Sequence, residues 1–216
     1  MRVRGISYAQ ISSKLGLAKS TLSYWFSNKP WSKSITQNLN DHWKKISSKR
    51  ISNLNSQRKV ERELHYEQIR NQAKKEFFQL MTSPLFLVGL SLYWGEGDKV
   101  HKGRVSAINS DPKLLKLIVN FYLKILKVSP DKIRVGMFIY SDHQENNVKQ
   151  FWINELGISE KQFIKTQILP SRSHNTKRRV NHGVCSVYFS STEIRIKIQE
   201  WIKILPQISG ISSMVE

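Results

Sequence analysis

The spacing of apolar positions changes several times along the chain. Between Tyr8 and Phe26, Ile11 and Leu15 stand four apart and share one helix face, while Leu22, Trp25 and Phe26 are placed to seat a second helix on the first. Gly16 between them suits the positive backbone dihedral of a tight turn, Leu17 plugs the corner, and Ser7 is an N-cap for the first helix. From Ile35 to Leu80 there is no Gly or Pro, and the apolar residues thin to a narrow stripe. Ser47-Ser48 and Ser52-Asn53 are break signals there, so the pattern fits one long rod or two helices equally. Leu85 to Trp94 is apolar nearly all round, which predicts a buried helix, and it closes on Gly95-Glu96-Gly97.

Beyond that point the period alternates between two and 3.6. Arg104–Ile108 reads as a strand, Asn109-Ser110-Asp111-Pro112 as a turn and helix start, and Leu114–Leu126 as an amphipathic helix. A strand over Lys132–Tyr140, a helix over Asn146–Leu156 closed by Gly157, strands over Phe163–Leu169 and Val184–Phe189, and a helix over Thr192–Leu205 follow. The class expected is α+β. Its parts are a helical motif over 1–34, a basic helical connector over 35–82, a mixed α/β domain over 83–205 and a flexible tail over 206–216.

Charge narrows the choice of partner. The 216 residues hold 35 Lys and Arg against 16 Asp and Glu, a formal net charge of +19. Residues 1–82 carry 16 of the cations and 5 of the acids, so +11 falls there and +8 in the remainder. Such an excess repels itself unless a polyanion neutralises it, which makes nucleic acid the expected partner. Twenty-two aromatic residues, six Trp, seven Tyr and nine Phe, argue for a real core and against a mainly disordered chain. The Leu85–Trp94 run is half of the ~20 residues a membrane span needs, so no membrane is expected, and the N-terminus opens no secretory hydrophobic region. A single cysteine, Cys185, excludes an internal disulfide framework and suits the cytoplasm; in a predicted strand it reads as a buried, inert thiol.

The Tyr8–Phe26 segment resembles the helix-turn-helix of DNA-binding regulators and recombinases, with Gly16 and the apolar positions in register. It departs at Ser12, where a small alanine is usual, and at Ala18, where a capping Ser is common. Only Met1–Ile6 precede it, so the unit's remaining helix is expected either upstream or after Pro30. The resemblance implies that Lys19, Ser20, Ser23, Tyr24 and Ser27 on the second helix face the major groove of duplex DNA. A second cationic surface is expected between Glu160 and Glu193, where no acid occurs and Arg172, His174, Lys177, Arg178 and Arg179 cluster.

The helix ending at Gly95-Glu96-Gly97 resembles the LAGLIDADG motif of homing endonucleases and their relatives, with Gly89 at its first position and Glu96 at its acidic one. Ser91 and Trp94 depart from the pattern, and the order of elements behind the helix carries the rest of the likeness over about 120 residues. The resemblance implies paired helices from two subunits, an antiparallel sheet as a saddle on DNA, and the loop 171–182 against the duplex. Cutting by that route would need a homodimer, two Glu96 side chains as catalytic metal ligands, Mg2+, and a cation such as Lys165 or Lys177 near the phosphate. Non-cutting relatives keep the fold and the DNA contacts and act as transcription regulators. A lone acid at a helix C-terminus, where the dipole disfavours it, suggests a metal or a proton to hold; the alternatives are an ion pair with Lys99 or Arg104, or simple exposure. Asp98 reads as a surface turn residue, and His174 and His182 as phosphate or base contacts. The sequence offers no single-strand-binding motif that would favour RNA.

Overall fold

The computed structural model describes residues 1–101, 103–170 and 181–208. The chain forms two compact units, Met1–Leu64 and His65–Glu216, and one helix runs through the boundary between them.

In the first unit a 3-10 turn over Arg2–Arg4 precedes α1 (Tyr8–Leu15) and α2 (Lys19–Phe26), and α3 (Pro30–Leu80) begins after a short turn. Ser7 caps α1 in a capping box: its hydroxyl accepts from the Gln10 amide at 3.3 Å, and the Gln10 side chain accepts from the Ser7 amide at 3.1 Å. Gly16 ends α1 at φ 69°, a left-handed conformation that glycine adopts without cost. Ala18 starts α2 with no side-chain cap. Ile11 and Leu22 are the buried apolar anchors, whereas Leu15 and Trp25 are about half exposed, so these two contribute less packing than their spacing suggests.

The third helix of this unit is the start of α3. The Phe26 and Trp31 rings lie 5.7 Å apart, and Ser32 is fully buried. Arg2 is buried too: its guanidinium donates to the Ser32 carbonyl at 3.0 Å, the Ser32 hydroxyl at 3.2 Å, the Ile6 carbonyl at 3.2 Å and the Thr36 hydroxyl, and stacks over the Tyr8 ring at 4.2 Å. Four acceptors and a π face compensate the buried charge. Of the two arrangements left open by the signals at residues 47–53, one rod or two helices, the chain takes the rod. The α3 helix spans 51 residues, and every residue from 41 to 64 is exposed.

The second unit has a four-stranded sheet in the order β1-β4-β2-β3, from β1 (Arg104–Asn109), β2 (Arg134–Tyr140), β3 (Gln167–Leu169) and β4 (Val184–Ser190). The pairs β1/β4 and β4/β2 are antiparallel, while β2/β3 is parallel, so the sheet is mixed and not the antiparallel one expected. The reason is the connection. Between β2 and β3 the chain runs through α6 (Glu145–Leu156), and a crossover of that length returns a strand in the same direction. The long strand expected over 163–169 shrinks to β3 plus one parallel bridge between Phe163 and Val135.

Odd-numbered strand residues face a core roofed by helices. Val105, Ala107, Val135, Met137, Ile139, Cys185, Val187 and Phe189 are all buried, against α4 (Pro84–Glu96), α5 (Pro112–Asn120) and α7 (Thr192–Ile208). Asp111 caps α5, which runs on as a π turn over Phe121–Ile125. Gly89 of α4 is where that turn presses closest; a Cβ there would lie 2.4 Å from the Phe121 ring. The last turns of α3 join this core through Ala73 and Phe77, with edge-on ring contacts running from Phe77 to Phe86 to Trp201 at 5.5 and 5.2 Å. Trp201 donates to the Ala73 carbonyl at 2.9 Å, and Lys197 pairs with Glu76 at 2.7 Å. The last helix reaches Ile208 with Pro206 inside it, three residues beyond the expected end.

Candidate nucleic-acid interface

On α2, Lys19, Ser20, Tyr24 and Ser27 are exposed and Ser23 is partly so; Tyr24 is 86% exposed. The opposite side holds Leu22 against the bundle, so the polar residues project because the apolar ones are held. Ser23 and Ser27 also line a groove with Lys33, Gln37, Asn40, Asp41 and Lys44 of α3, which adds two cations, two amides and one carboxylate beside the helix. The short hydroxyls, the Tyr24 phenol and the one cation of α2, Lys19, can donate to phosphate oxygens and to base edges.

The other face of the sheet in the second unit carries a small, partly covered depression whose central residues, Ser106, Gly136 and Ser186, are buried. Arg104, Ser106 and Ile108 of β1, Gly136 and Phe138 of β2, and Ser186 and Tyr188 of β4 line it with Ile164, Lys165 and Gln167. The Arg104 guanidinium lies 5.4 Å above the Tyr188 ring, and Lys165 is exposed at the opposite side. The central hydroxyls are buried, Ser186 donating to the Gly136 carbonyl at 3.4 Å, so the accessible cation at this depression is Lys165.

Glu96 ends α4 and is exposed, and the helix itself departs from the buried one expected. The helix is buried only along Phe86, Gly89, Leu90 and Tyr93, while Val88, Ser91, Trp94 and Gly95 face outward. An all-round apolar sequence says nothing about how many of its sides a neighbour covers. Nothing lies within 4 Å of a Cβ built on Gly95, in contrast to Gly89. Arg104 pairs with Asp98 at 3.3 Å, not with Glu96. Among the described residues Glu96 has no ion-pair partner, and it does not line the depression that Lys165 lines. Lys177, Arg172, His174, Arg178 and Arg179 lie outside the described residues. His182 stacks on Phe151 with ring centroids 3.6 Å apart, and its carbonyl accepts from Trp152 at 2.9 Å. That makes His182 a packing residue at the foot of the loop.

A buried polar network just behind Glu96 escaped the sequence reading. Arg195, 2% exposed, donates to the Tyr93 hydroxyl at 2.9 Å, the Arg104 carbonyl at 3.3 Å and the Asp98 carbonyl; Tyr93 donates to the same Asp98 carbonyl at 3.0 Å. Burial raises the Tyr93 phenol above its ordinary value although the Arg195 charge opposes it, so the hydroxyl stays a donor. Asp98 is not a loose turn residue. Its carboxylate accepts from the Val100 and His101 amides at 2.8 and 3.3 Å. Partial burial works to raise this carboxyl, but those two amides and Arg104 outweigh it and hold it below the ordinary value. The available signal was Arg195 itself, a cation in step with Ile198 and Trp201 on the buried stripe of α7.

Among the described residues no group of three or more His, Cys, Asp or Glu is placed to hold a metal. No helix among them is long and apolar enough to cross a membrane. Compared with family models, curated proteins and solved structures, the chain matches none.

Proposed function

We propose that this chain is a site-specific binder of duplex DNA that acts as a homodimer and regulates without cutting. The observation that carries this reading is α2: a short helix pinned by Leu22, whose outward side presents Lys19, Ser20, Ser23, Tyr24 and Ser27 beside the cations of α3. The +19 charge supplies the sequence-independent part of the affinity, and the exposed Lys165 at the sheet edge offers a second contact. Selection from a random duplex library tests it. A consensus site should emerge, and affinity for it should fall by about 10³-fold or more between about 50 and 200 mM salt. Tyr24→Ala and Lys19→Ala should weaken that binding while leaving thermal unfolding unchanged. No binding at low salt, or stronger binding of single strands or RNA duplexes, defeats the reading.

A Mg2+-dependent endonuclease is the second reading, favoured by the exposed acid at the end of α4 beside an outward apolar face that a second copy could cover. Two Glu96 carboxylates would then hold the cation, with Lys165 or Lys177 near the phosphate. Metal-dependent cutting lost in Glu96→Gln decides for it; a folded dimer that binds its site and never cuts decides against it.

A further inference from the structure

The exposed stretch of α3, residues 41–64, combines two properties that sit badly together in a helix standing alone. Its first residues, Asp41–Lys44, border grooves shared with the N-terminal turn, α1 and α2, every residue from there to 64 is exposed, and its centre, Ser47-Ser48, Ser52-Asn53 and Asn55-Ser56, is built from residues that favour caps and turns over helix interiors. At 100° per residue, Leu39, Trp43, Ile46, Leu54, Val60 and Leu64 fall in one sector about 120° wide. The last five are 59%, 44%, 44%, 59% and 62% exposed. Lys44, Lys45, Arg58, Lys59 and Arg62 fall on the opposite side of the cylinder. A polyanion therefore explains the basic side and leaves the apolar side without a purpose.

We propose that the apolar side docks on the same stripe of a second copy, with the two helices antiparallel. This deepens the homodimer of the reading above, and rests on it, by naming the surface. Positions 39, 43, 46, 50, 53, 57, 60 and 64 alternate steps of four and three, the spacing of a helix-pairing seam, and carry Leu, Trp, Ile, Arg, Asn, Gln, Val and Leu. The seam is apolar at both ends and polar in the middle. An antiparallel pair sets Leu39 against Leu64, Trp43 against Val60, Ile46 against Gln57 and Arg50 against Asn53. A parallel pair in register would instead set Arg50 on Arg50, like charge on like charge. Covering the exposed stripe on both copies removes roughly 1,000 Å² from water, the size at which a specific interface begins. The basic sides then face outward from the pair, free for the phosphate backbone that the charge calls for.

The full-length chain decides this in two measurements. In sedimentation at micromolar concentration the native protein runs as a dimer, and Val60→Lys with Leu64→Lys runs as a monomer with unchanged thermal unfolding, because both positions are exposed. Disulfide trapping reads the direction: Arg50→Cys with Asn53→Cys gives a covalent dimer on oxidation, while Arg50→Cys alone does not. Cys185 is buried and stays silent. A monomeric native chain, a dimer that survives the paired lysines, or trapping through Arg50→Cys alone overturns the proposal. DNA binding measured on the same samples keeps the two questions apart. A monomer that binds its site sinks the pairing and spares the binder, and a dimer that binds no DNA does the reverse.

Discussion

Replacing Tyr93 by Phe removes one oxygen from the network behind Glu96 and leaves the ring in place. That oxygen lies between two partners, accepting from the Arg195 guanidinium at 2.9 Å and donating to the Asp98 carbonyl at 3.0 Å, on a side chain 1% exposed. No water can reach in to replace it without moving the loop. Arg195 is itself 2% exposed, and its Nε already lacks a partner among the described residues, so the loss falls on a charge with few acceptors to spare. A buried hydrogen bond to a charged group contributes about 1.5–3 kcal/mol, and the same range is expected here. With a urea slope of about 2–3 kcal/mol per molar for a domain of this size, the unfolding midpoint of the second unit should fall by roughly 0.5–1.5 M. Tryptophan fluorescence reports it cleanly, since Trp152 and Trp201 are buried in that unit whereas Trp25, Trp31 and Trp43 are exposed. A shift under about 0.2 M would mean that Arg195 is content without Tyr93, and the account of this network would be wrong.

Two further outcomes test neighbouring statements. The Tyr122 hydroxyl is buried with no partner among the described residues, and burial pushes its ionisation well above the ordinary value; Tyr122→Phe should leave the melting temperature unchanged or raise it, and a loss of more than about 1 kcal/mol would reveal a hidden acceptor. Asp98 titrates below its ordinary value of 3.8 in the folded chain, so its contribution is fully present above that pH and is lost as pH falls through the lowered value. Asp98→Asn should therefore be less stable than the native chain at neutral pH and equal to it at about pH 2, as followed by thermal unfolding across that range.

The pair of short helices α1 and α2 was legible because every cue is local. Ser7 and Gly16 act within one turn of the chain, and Ile11 and Leu22 stand only eleven residues apart on adjoining helices, so spacing alone locates them. The limits of most strands were legible for the same reason, since period two survives whatever the strand pairs with. The parallel edge strand was not, because its direction follows from the crossover through α6 and not from any residue within β3. Glu96 shows the other limit. A run such as Leu85–Trp94 records that apolar surface exists, but which sides get covered depends on elements far away: Gly89 met Phe121, and the Val88–Gly95 side stays partly exposed. The continuity of α3 was ambiguous for a related reason, since serines and asparagines weaken a helix without forbidding it. Arg195 lay open in the sequence, yet its partners come from 91 to 102 residues away.

Cys185 gives the sheet a clock. It sits on β4, the strand held by β1 on one side and β2 on the other, with its side chain fully buried and burial raising its thiol well above the reactive range. A thiol reagent can reach it only when that central strand comes loose, and the chain has no other sulfhydryl to confuse the reading. The rate of modification therefore counts openings of the second unit molecule by molecule, under native conditions and without denaturant. Slower labelling in the presence of a bound polyanion would report how tightly that ligand clamps the sheet.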